Sequence, residues 1–462
     1  MTLKMSCPKP SNWHPGSRWQ ATWCFSRRPL HRWTSSPITR NVADCFLMLY
    51  VNDGKVRQMS APPTNRPPSE DTGARSSRIR LGAYVRPESS NYLLVLCTTV
   101  FLVGVGLVMV LSSSSVDSFL DNKGFFGGFW KQATYAVIGI PLMLVISRVP
   151  VRFWKKWAWL ALFGALVLQL LVFTPLGIAE GGNRNWIAIG PINGQPSELL
   201  KLALALWLGF ILGKKINLLS DWKHALIPVV PVSVIALGLV LGGKDLGTVV
   251  IMAGIVIGAM FFANLKLRFL LVPVSAGVML FAVMALVSPN RMARILTFLD
   301  EECADYENLC WQPLHGTWAL ANGGVFGLGL GNSREKYSWL PAASNDYIFA
   351  IIGEELGLIG ATVVLVMFVL LAVSFVRVIR ASSDPFVRIT TGAILVWIIG
   401  QAFVNIGVVL RLLPVLGVPR PFISAGGTAL LTSLCAVGIV LSFAREQATK
   451  PRFPLAGERY TR

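Results

Sequence analysis

The sequence predicts an all-α polytopic membrane protein of ten transmembrane helices, with both termini cytoplasmic and a large extracellular loop between helices 7 and 8. Three observations predict it. Mean hydropathy is +0.58, with 53% hydrophobic and only 14% charged residues, which excludes an ordinary soluble protein. The apolar residues fall in runs of roughly 20, the length of a helical crossing rather than of the short alternating segments of a β-barrel. Lys and Arg concentrate in alternate short loops, which sets the orientation.

Residues 1–88 carry 14 Lys/Arg against 5 Asp/Glu and ten prolines, with no long apolar run. They read as a disordered basic cytoplasmic tail. The first 30 residues lack the apolar core of a signal peptide, and Cys45–Val51 is too short to span. The Trp, Cys and Arg of this leader are unusual for a tail, whereas Met59 opens a plainer Pro/Ser/Arg-rich stretch. Met59 is therefore the expected native start, which N-terminal sequencing of the native protein checks. A membrane domain over 89–445 follows, and residues 446–462 form a short basic tail.

The ten spans are expected at about 93–114, 129–148, 157–174, 196–213, 224–242, 245–264, 268–288, 347–376, 388–410 and 424–444. In or beside the loops after spans two, four, six and eight lie Arg148, Arg152, Lys155, Lys156, Lys214, Lys215, Lys223, Lys266, Arg268, Arg377, Arg380 and Arg388. The opposite short loops hold only Lys123, Arg184, Lys244, Arg411 and Arg420. Basic loops inside place the acidic loop outside. The formal net charge of +19 thus belongs to the tail and to orientation signals, and no nucleic-acid site is read from it.

Unusual sequence collects on the outer side. Five carboxylates stand between Asp300 and Glu307, flanked by Cys303 and Cys310. Crowded carboxylates raise one another's pKa, which suits a general base, although acidic runs are also ordinary solvated loop faces. A Cys303–Cys310 disulfide in the oxidising exterior would close a short loop around Asp305 and contribute roughly 2.5 kcal/mol. The long loop, about 288–345, is Gly-rich and aromatic and is expected to be an ordered lid. It ends in Gly327–Lys336, a glycine run followed by Arg334 and Lys336 that could wrap phosphate oxygens or could merely turn. Elsewhere, Trp186 fits an interfacial anchor, Gln195 and Ser197 a helix start, and Glu198 with Lys201 a pair on one helical face. Asp245 suits either a helix cap or a ligand contact. Thirty residues from Asp346 to Phe375 are too long for a straight crossing, so the first turns, with Glu354 and Glu355, should leave the membrane or line a polar cavity.

Taken in order, Asn185-Trp186-Ile187, Gln195-Pro196-Ser197-Glu198, Asp245-Leu246-Gly247-Thr248, Asp346-Tyr347-Ile348-Phe349-Ala350, Gly353-Glu354-Glu355-Leu356-Gly357 and Pro421-Phe422-Ile423-Ser424-Ala425-Gly426-Gly427 resemble the SEDS family (shape, elongation, division and sporulation) over roughly residues 90–445. Gly331-Asn332-Ser333 and the Ser424–Gly427 form resemble its division-associated FtsW branch, of actinobacterial type, with the elongation-associated RodA branch as the alternative. The resemblance implies an inverting peptidoglycan glycosyltransferase that polymerises lipid II at the division septum and releases undecaprenyl pyrophosphate. It implies Asp305, six residues before Trp311-Gln312, as the general base, with Asp300 or Glu307 as substitutes. Substrate contacts are expected from Arg184, Trp186, Gln195, Ser197, Glu198, Lys201, Lys244, Asp245, Gln312, Lys336, Asp346, Glu354, Glu355, Arg411, Arg420, Ser424, Gly426 and Gly427. No cofactor is obligatory and no ligand cluster marks a metal, although a divalent cation (Mg or Mn) is compatible. Implied partners are lipid II and undecaprenyl-linked glycan, a class B penicillin-binding transpeptidase, other divisome proteins and membrane lipid. A lipid II flippase and a non-catalytic divisome scaffold are the other readings. The chain departs from the family pattern at Lys244 (commonly Pro), Tyr306 and Asn308 (Pro and Gly), Ala342-Ala343-Ser344 (commonly Glu-Ala-His) and Arg420 (usually Leu).

Overall fold

A computed structural model describes residues 89–180, 183–189, 192–287, 289–299, 306 and 309–449. The expected disordered tail, Met59, Asp300, Cys303, Asp305 and Glu307 lie outside the described residues. The fold is mostly helical: α1 (Ser90–Leu120), α2 (Gly127–Ile146), α3 (Val151–Leu170), α4 (Pro196–Lys214), α5 (Trp222–Leu226), α6 (Val229–Gly242), α7 (Leu246–Phe262), α8 (Leu267–Val287), α9 (Pro289–Leu299), α10 (Trp311–Gly323), α11 (Ile348–Ala381), α12 (Pro385–Leu395), α13 (Gln401–Val409) and α14 (Gly427–Thr449).

Eight helical segments among the described residues are long and apolar enough to cross a membrane. The sixth and seventh expected spans correspond to α7, a shorter apolar helix of 17 residues, and to the 21-residue α8. The expectation of a purely helical chain needs one correction. Residues between α3 and α4 form a small antiparallel sheet, β1 (Gly177–Glu180), β2 (Asn183–Ile189) and β3 (Ile192–Gly194), in the order β1-β2-β3. Alternation across Arg184-Asn185-Trp186-Ile187 with flanking Gly permits it. The long loop likewise contains two helices, α9 and α10, and α14 runs four residues past the expected domain boundary.

Burial separates the helices. In the apolar windows of α4, of α12–α13 and of α14, 72%, 72% and 78% of residues are buried, against 28% in α2, α3 and α11. The first three make the interior of the bundle; the others face outward. Helix α14 packs on α2, α12 on α4, and α1 on α11. Asp384 starts α12 by accepting from Phe386 N at 3.0 Å and is held by Lys155 at 2.6 Å. Between α12 and α13 the helix widens into a π-turn, Val396–Gly400.

The over-long helix α11 is broken. Gly357 has φ 68° and ψ −168°, dividing it into Ile348–Leu356 and Leu358–Ala381. Around the break, the backbone groups freed from the helix pair with the glycine-rich loop. Leu328 N and Gly329 N donate to Glu354 O and Glu355 O, both at 2.9 Å, while Leu358 N donates to Gly324 O at 2.9 Å. The first turns therefore form a separate short helix, packed on α10 where Gly323 meets the Gly353 backbone. A side chain at 357 would collide with the backbone of Gly327, Val325 and Phe326 in a conformation that L residues rarely adopt. Gly357→Ala should destabilise the protein by about 2 kcal/mol, visible as a lower midpoint in thermal unfolding of the detergent-solubilised chain. An unchanged midpoint would show that the loop yields instead.

Candidate functional site

Asp245, Gln195, Asp346 and Arg411, four of the expected site residues, lie at the end of the bundle that carries the sheet. Its centre is Asp245, the N-cap of α7, 7% exposed. Its Oδ1 accepts from Thr248 N at 3.0 Å, and its Oδ2 accepts from Thr248 Oγ1 at 2.8 Å, Asn185 Nδ2 at 2.9 Å and Gln195 Nε2 at 3.1 Å. One carboxylate thus joins the sheet, the start of α4 and the start of α7. Arg184 N donates to Gly243 O at 2.9 Å, and the close approach of these backbones leaves no room for a side chain at 243. Lys244 is exposed beside the cap at φ 64°.

The second carboxylate is Asp346, half-buried just before the short helix. Burial, and then the negative charge of Asp245, push its carboxyl up to about 6, with Arg294 acting in the opposite direction. The loop after α13 passes over it: a Cβ on Gly417 would stand 3.6 Å from Asp346 Oδ2. Asn405 Nδ2 fixes both pieces, donating to Asp346 O at 2.7 Å and Val418 O at 2.9 Å. Beside this recess, a narrow cavity is lined by Arg294, Phe298 and Leu309 from the long loop and by Val408, Arg411 and Pro414.

Other expected contacts are committed within the protein. Glu198 and Lys201 are 2% and 1% exposed and form a 2.9 Å ion pair. Lys201 Nζ also donates to Gln401 Oε1 at 3.0 Å and lies 5.1 Å from the Trp397 ring centre. Ser197 is wholly buried. The Arg184 guanidinium donates to Thr174 O at 2.7 Å. Trp186 is half-buried on β2, paired with Ile178 of β1, and Gln312 Nε2 donates to Pro341 O at 3.0 Å. Ser424 Oγ accepts from Arg420 N at 2.8 Å and donates to Asn345 O at 2.7 Å. Gly426 N donates to Gln132 Oε1 at 3.2 Å, and Gly427 lies against the Tyr135 ring, so this motif seats α14 on α2.

The run Gly327–Lys336, which could wrap phosphate oxygens, here directs several of its donors to the buried pair Glu354 and Glu355. Ser333 Oγ and Arg334 N donate to Glu354 at 2.5 and 3.0 Å, and Lys336 Nζ donates to Glu355 Oε1 at 3.3 Å and to Gly331 O at 2.6 Å. Ser112 Oγ of α1 closes the clamp on Glu355 at 2.5 Å. Glu354, Glu355 and Lys336 hold the loop to the broken helix.

Cys310 is disulfide-bonded, and its expected partner, Cys303, lies outside the described residues. Sequence reasoning missed two features. Arg294 faces the recess from α9, and nothing in the sequence sets it apart from Arg291 on the same helix. His315 Nδ1 pairs with Glu335 Oε2 at 2.6 Å, boxed by Trp311, Trp318 and Trp339. Twenty residues separate that pair, so only the fold joins it. Among the described residues, no group of three or more His, Cys, Asp or Glu could hold a metal ion. Both oxygens of Asp245 already accept hydrogen bonds.

Because the folded protein raises the Asp346 pKa, it favours the protonated form. That contribution is complete below the ordinary aspartate value and disappears as pH rises through about 6. Asp346→Asn should therefore gain thermal midpoint over wild type as pH rises from about 4 to above 6. A difference that stays flat across that window would contradict the assignment.

Residues 92–449 match the FTSW_RODA_SPOVE family, described as cell cycle protein. A probable peptidoglycan glycosyltransferase FtsW of Mycobacterium tuberculosis is 37% identical over 380 residues, 82% of this chain and 72% of that one. One from Geobacter metallireducens is 37% identical over 363 residues, 78% and 96% of the two chains. Stage V sporulation protein E of Bacillus subtilis is 34% identical over 361 residues, 78% and 98%. Among solved structures, a chain of a peptidoglycan synthase complex superposes with a TM-score of 0.64 at 23% identity, covering 79% of this chain and all of that one. Rod shape determining protein RodA of Thermus thermophilus gives 0.55 at 23% identity, covering 76% and 96%. Those two share the fold; the sequence matches carry the kinship, and the relatives named FtsW point to the division-associated branch. The chain belongs to the FtsW, RodA and SpoVE family of cell cycle proteins.

Proposed function

We propose that this protein is a peptidoglycan glycosyltransferase that polymerises lipid II on the outer face of the cytoplasmic membrane during cell division. The observation that carries the reading is the recess where Asp245, Asp346, Arg294 and Arg411 meet beneath the long loop, in a chain that is 37% identical to relatives named for this activity. In this reading the chain crosses the membrane ten times, with both termini in the cytoplasm. Asp305, from the acidic run of the long loop, accepts the proton of the acceptor sugar's 4-hydroxyl as that oxygen attacks the donor's anomeric carbon. The bond from that carbon to the pyrophosphate oxygen breaks, the configuration inverts, and undecaprenyl pyrophosphate leaves with the electron pair. Arg294 and Arg411 supply positive charge beside that departure. Asp245 keeps the recess in shape, and no step is routed through a metal ion. A class B penicillin-binding transpeptidase is the proposed partner at the septum; the synthase complex among the structural neighbours couples polymerization to crosslinking.

The test is lipid II polymerisation by the purified complex with its cognate transpeptidase. Asp305→Ala should lower glycan synthesis by about 10²-fold or more with partner binding intact, while Asp300→Ala retains synthesis. Equal product from wild type and Asp305→Ala would remove Asp305 from the chemistry. No product from wild type would turn attention to lipid II flipping.

A further inference from the structure

Arg420 is the residue in this fold least accounted for by its surroundings. It lies in the loop between α13 and α14, is 2% exposed, and is among the largest fully buried side chains. Among the described residues, its Nε, Nη1 and Nη2 have no hydrogen-bond partner. Burial lowers its pKa, to about 9, which leaves it charged at neutral pH, and among the described residues no carboxylate is a cause of the shift. The buried glutamates of the bundle pair with other groups: Glu198 with Lys201, and Glu354 and Glu355 with the Ser333–Lys336 turn. What covers the guanidinium is Phe349, whose ring centre is 4.1 Å from its central carbon.

A buried cation with five unused donors is strongly unfavourable unless something answers it, and one cation–π contact answers only part. The backbone around it is also held away from ordinary conformations. Phe422, two residues on, has φ 67°, and Arg411 at the loop's start has φ 56°. Strain of this kind persists where the surrounding structure imposes it, often at functional sites. Phe349 itself stands on the short half-helix ahead of the Gly357 break and lines an apolar cavity with Gly353, Ile406 and Leu410. A ring beside a cavity has somewhere to move.

We propose that Arg420 is the anchor of an occluded subsite for a phosphate-type anion, closed by Phe349 in this conformation and opened when that ring swings toward the cavity. The site stands on the unpartnered guanidinium alone. Naming its anion as the pyrophosphate of the polyprenyl donor rests on the polymerase reading. A guanidinium fork suits two oxygens of one phosphate, and release from a stacked ring costs less than release from a salt bridge.

Thermal unfolding of the purified full-length protein, titrated with inorganic pyrophosphate, tests this without any turnover. Wild type should show a saturable rise in midpoint. Arg420→Leu, which removes an unpaired buried charge, should unfold at a higher temperature without ligand and bind pyrophosphate about tenfold more weakly or worse. Phe349→Ala should bind more tightly than wild type. A parallel arm in nanodiscs, with and without anionic phospholipid, separates the sources. Stabilisation by the lipid alone, lost in Arg420→Leu, keeps the anion subsite and assigns it to a headgroup. The same pyrophosphate response in wild type and Arg420→Leu overturns the proposal, as does a wild type that answers neither anion. A pyrophosphate response that depends on Arg420, together with a transpeptidase complex that makes no glycan from lipid II, would leave the subsite standing and sink the polymerase reading instead.

Discussion

The loop-rich end of the bundle depends on the carboxylate of Asp245. Its two oxygens accept four hydrogen bonds from three separate pieces of chain: the sheet at Asn185, the approach to α4 at Gln195, and the first turn of α7 at Thr248. Charged acceptors make stronger hydrogen bonds than neutral ones, and four of them on a carboxylate that is 7% exposed resist separation. The same charge acts on Asp346, pushing its carboxyl up. Two acids side by side thus take different roles. Asp245 is consumed by structure, whereas Asp346, raised and half-buried, keeps a proton within reach of neutral pH.

The acids of α11 work differently. Glu354 and Glu355 sit on the last turn before the Gly357 break and take their donors from the glycine-rich turn, Lys336 and Ser112. A break in an apolar helix leaves backbone groups that must be satisfied. Here Gly324–Gly329 satisfies them, and the two glutamates fasten the following turn over the junction. The turn Ser333–Lys336, near the end of the long loop, is thereby tied to α1 and α11.

Much of this was legible in the sequence. Apolar runs of crossing length marked the eight long helices, and the excess length from Asp346 to Phe375 marked the broken one. Asp245 was readable as a cap because Asp-Leu-Gly-Thr is both a cap signal and a family motif. Roles that depend on distant partners were not readable. Glu198 and Lys201 declared themselves a pair three residues apart, but only the fold adds Gln401 and Trp397 to them. The glycine run suggested a phosphate cradle, and nothing local reveals that Ser333, the Arg334 backbone and Lys336 reach Glu354 and Glu355. The sheet before α4 was missed because its strands are three to seven residues long and lie between spans. The Glu335 partner of His315 comes from a different turn of the same loop, beyond any periodicity.

The π-turn at Val396–Gly400 has a consequence for how this helix pair can vary. An α-helix advances about 100° per residue, and a π-turn inserts roughly one residue more than the regular path needs. Everything after it is therefore rotated by about a quarter turn relative to a continuous helix from Pro385. That rotation is what brings Gln401 to Lys201 and Asn405 to the backbone of Asp346 and Val418. The widened turn sets the phase between the buried interior of the bundle and the acidic recess above it. Loss of one residue there would leave the helix apolar and long enough to cross a membrane, yet would swing both amides away from their partners.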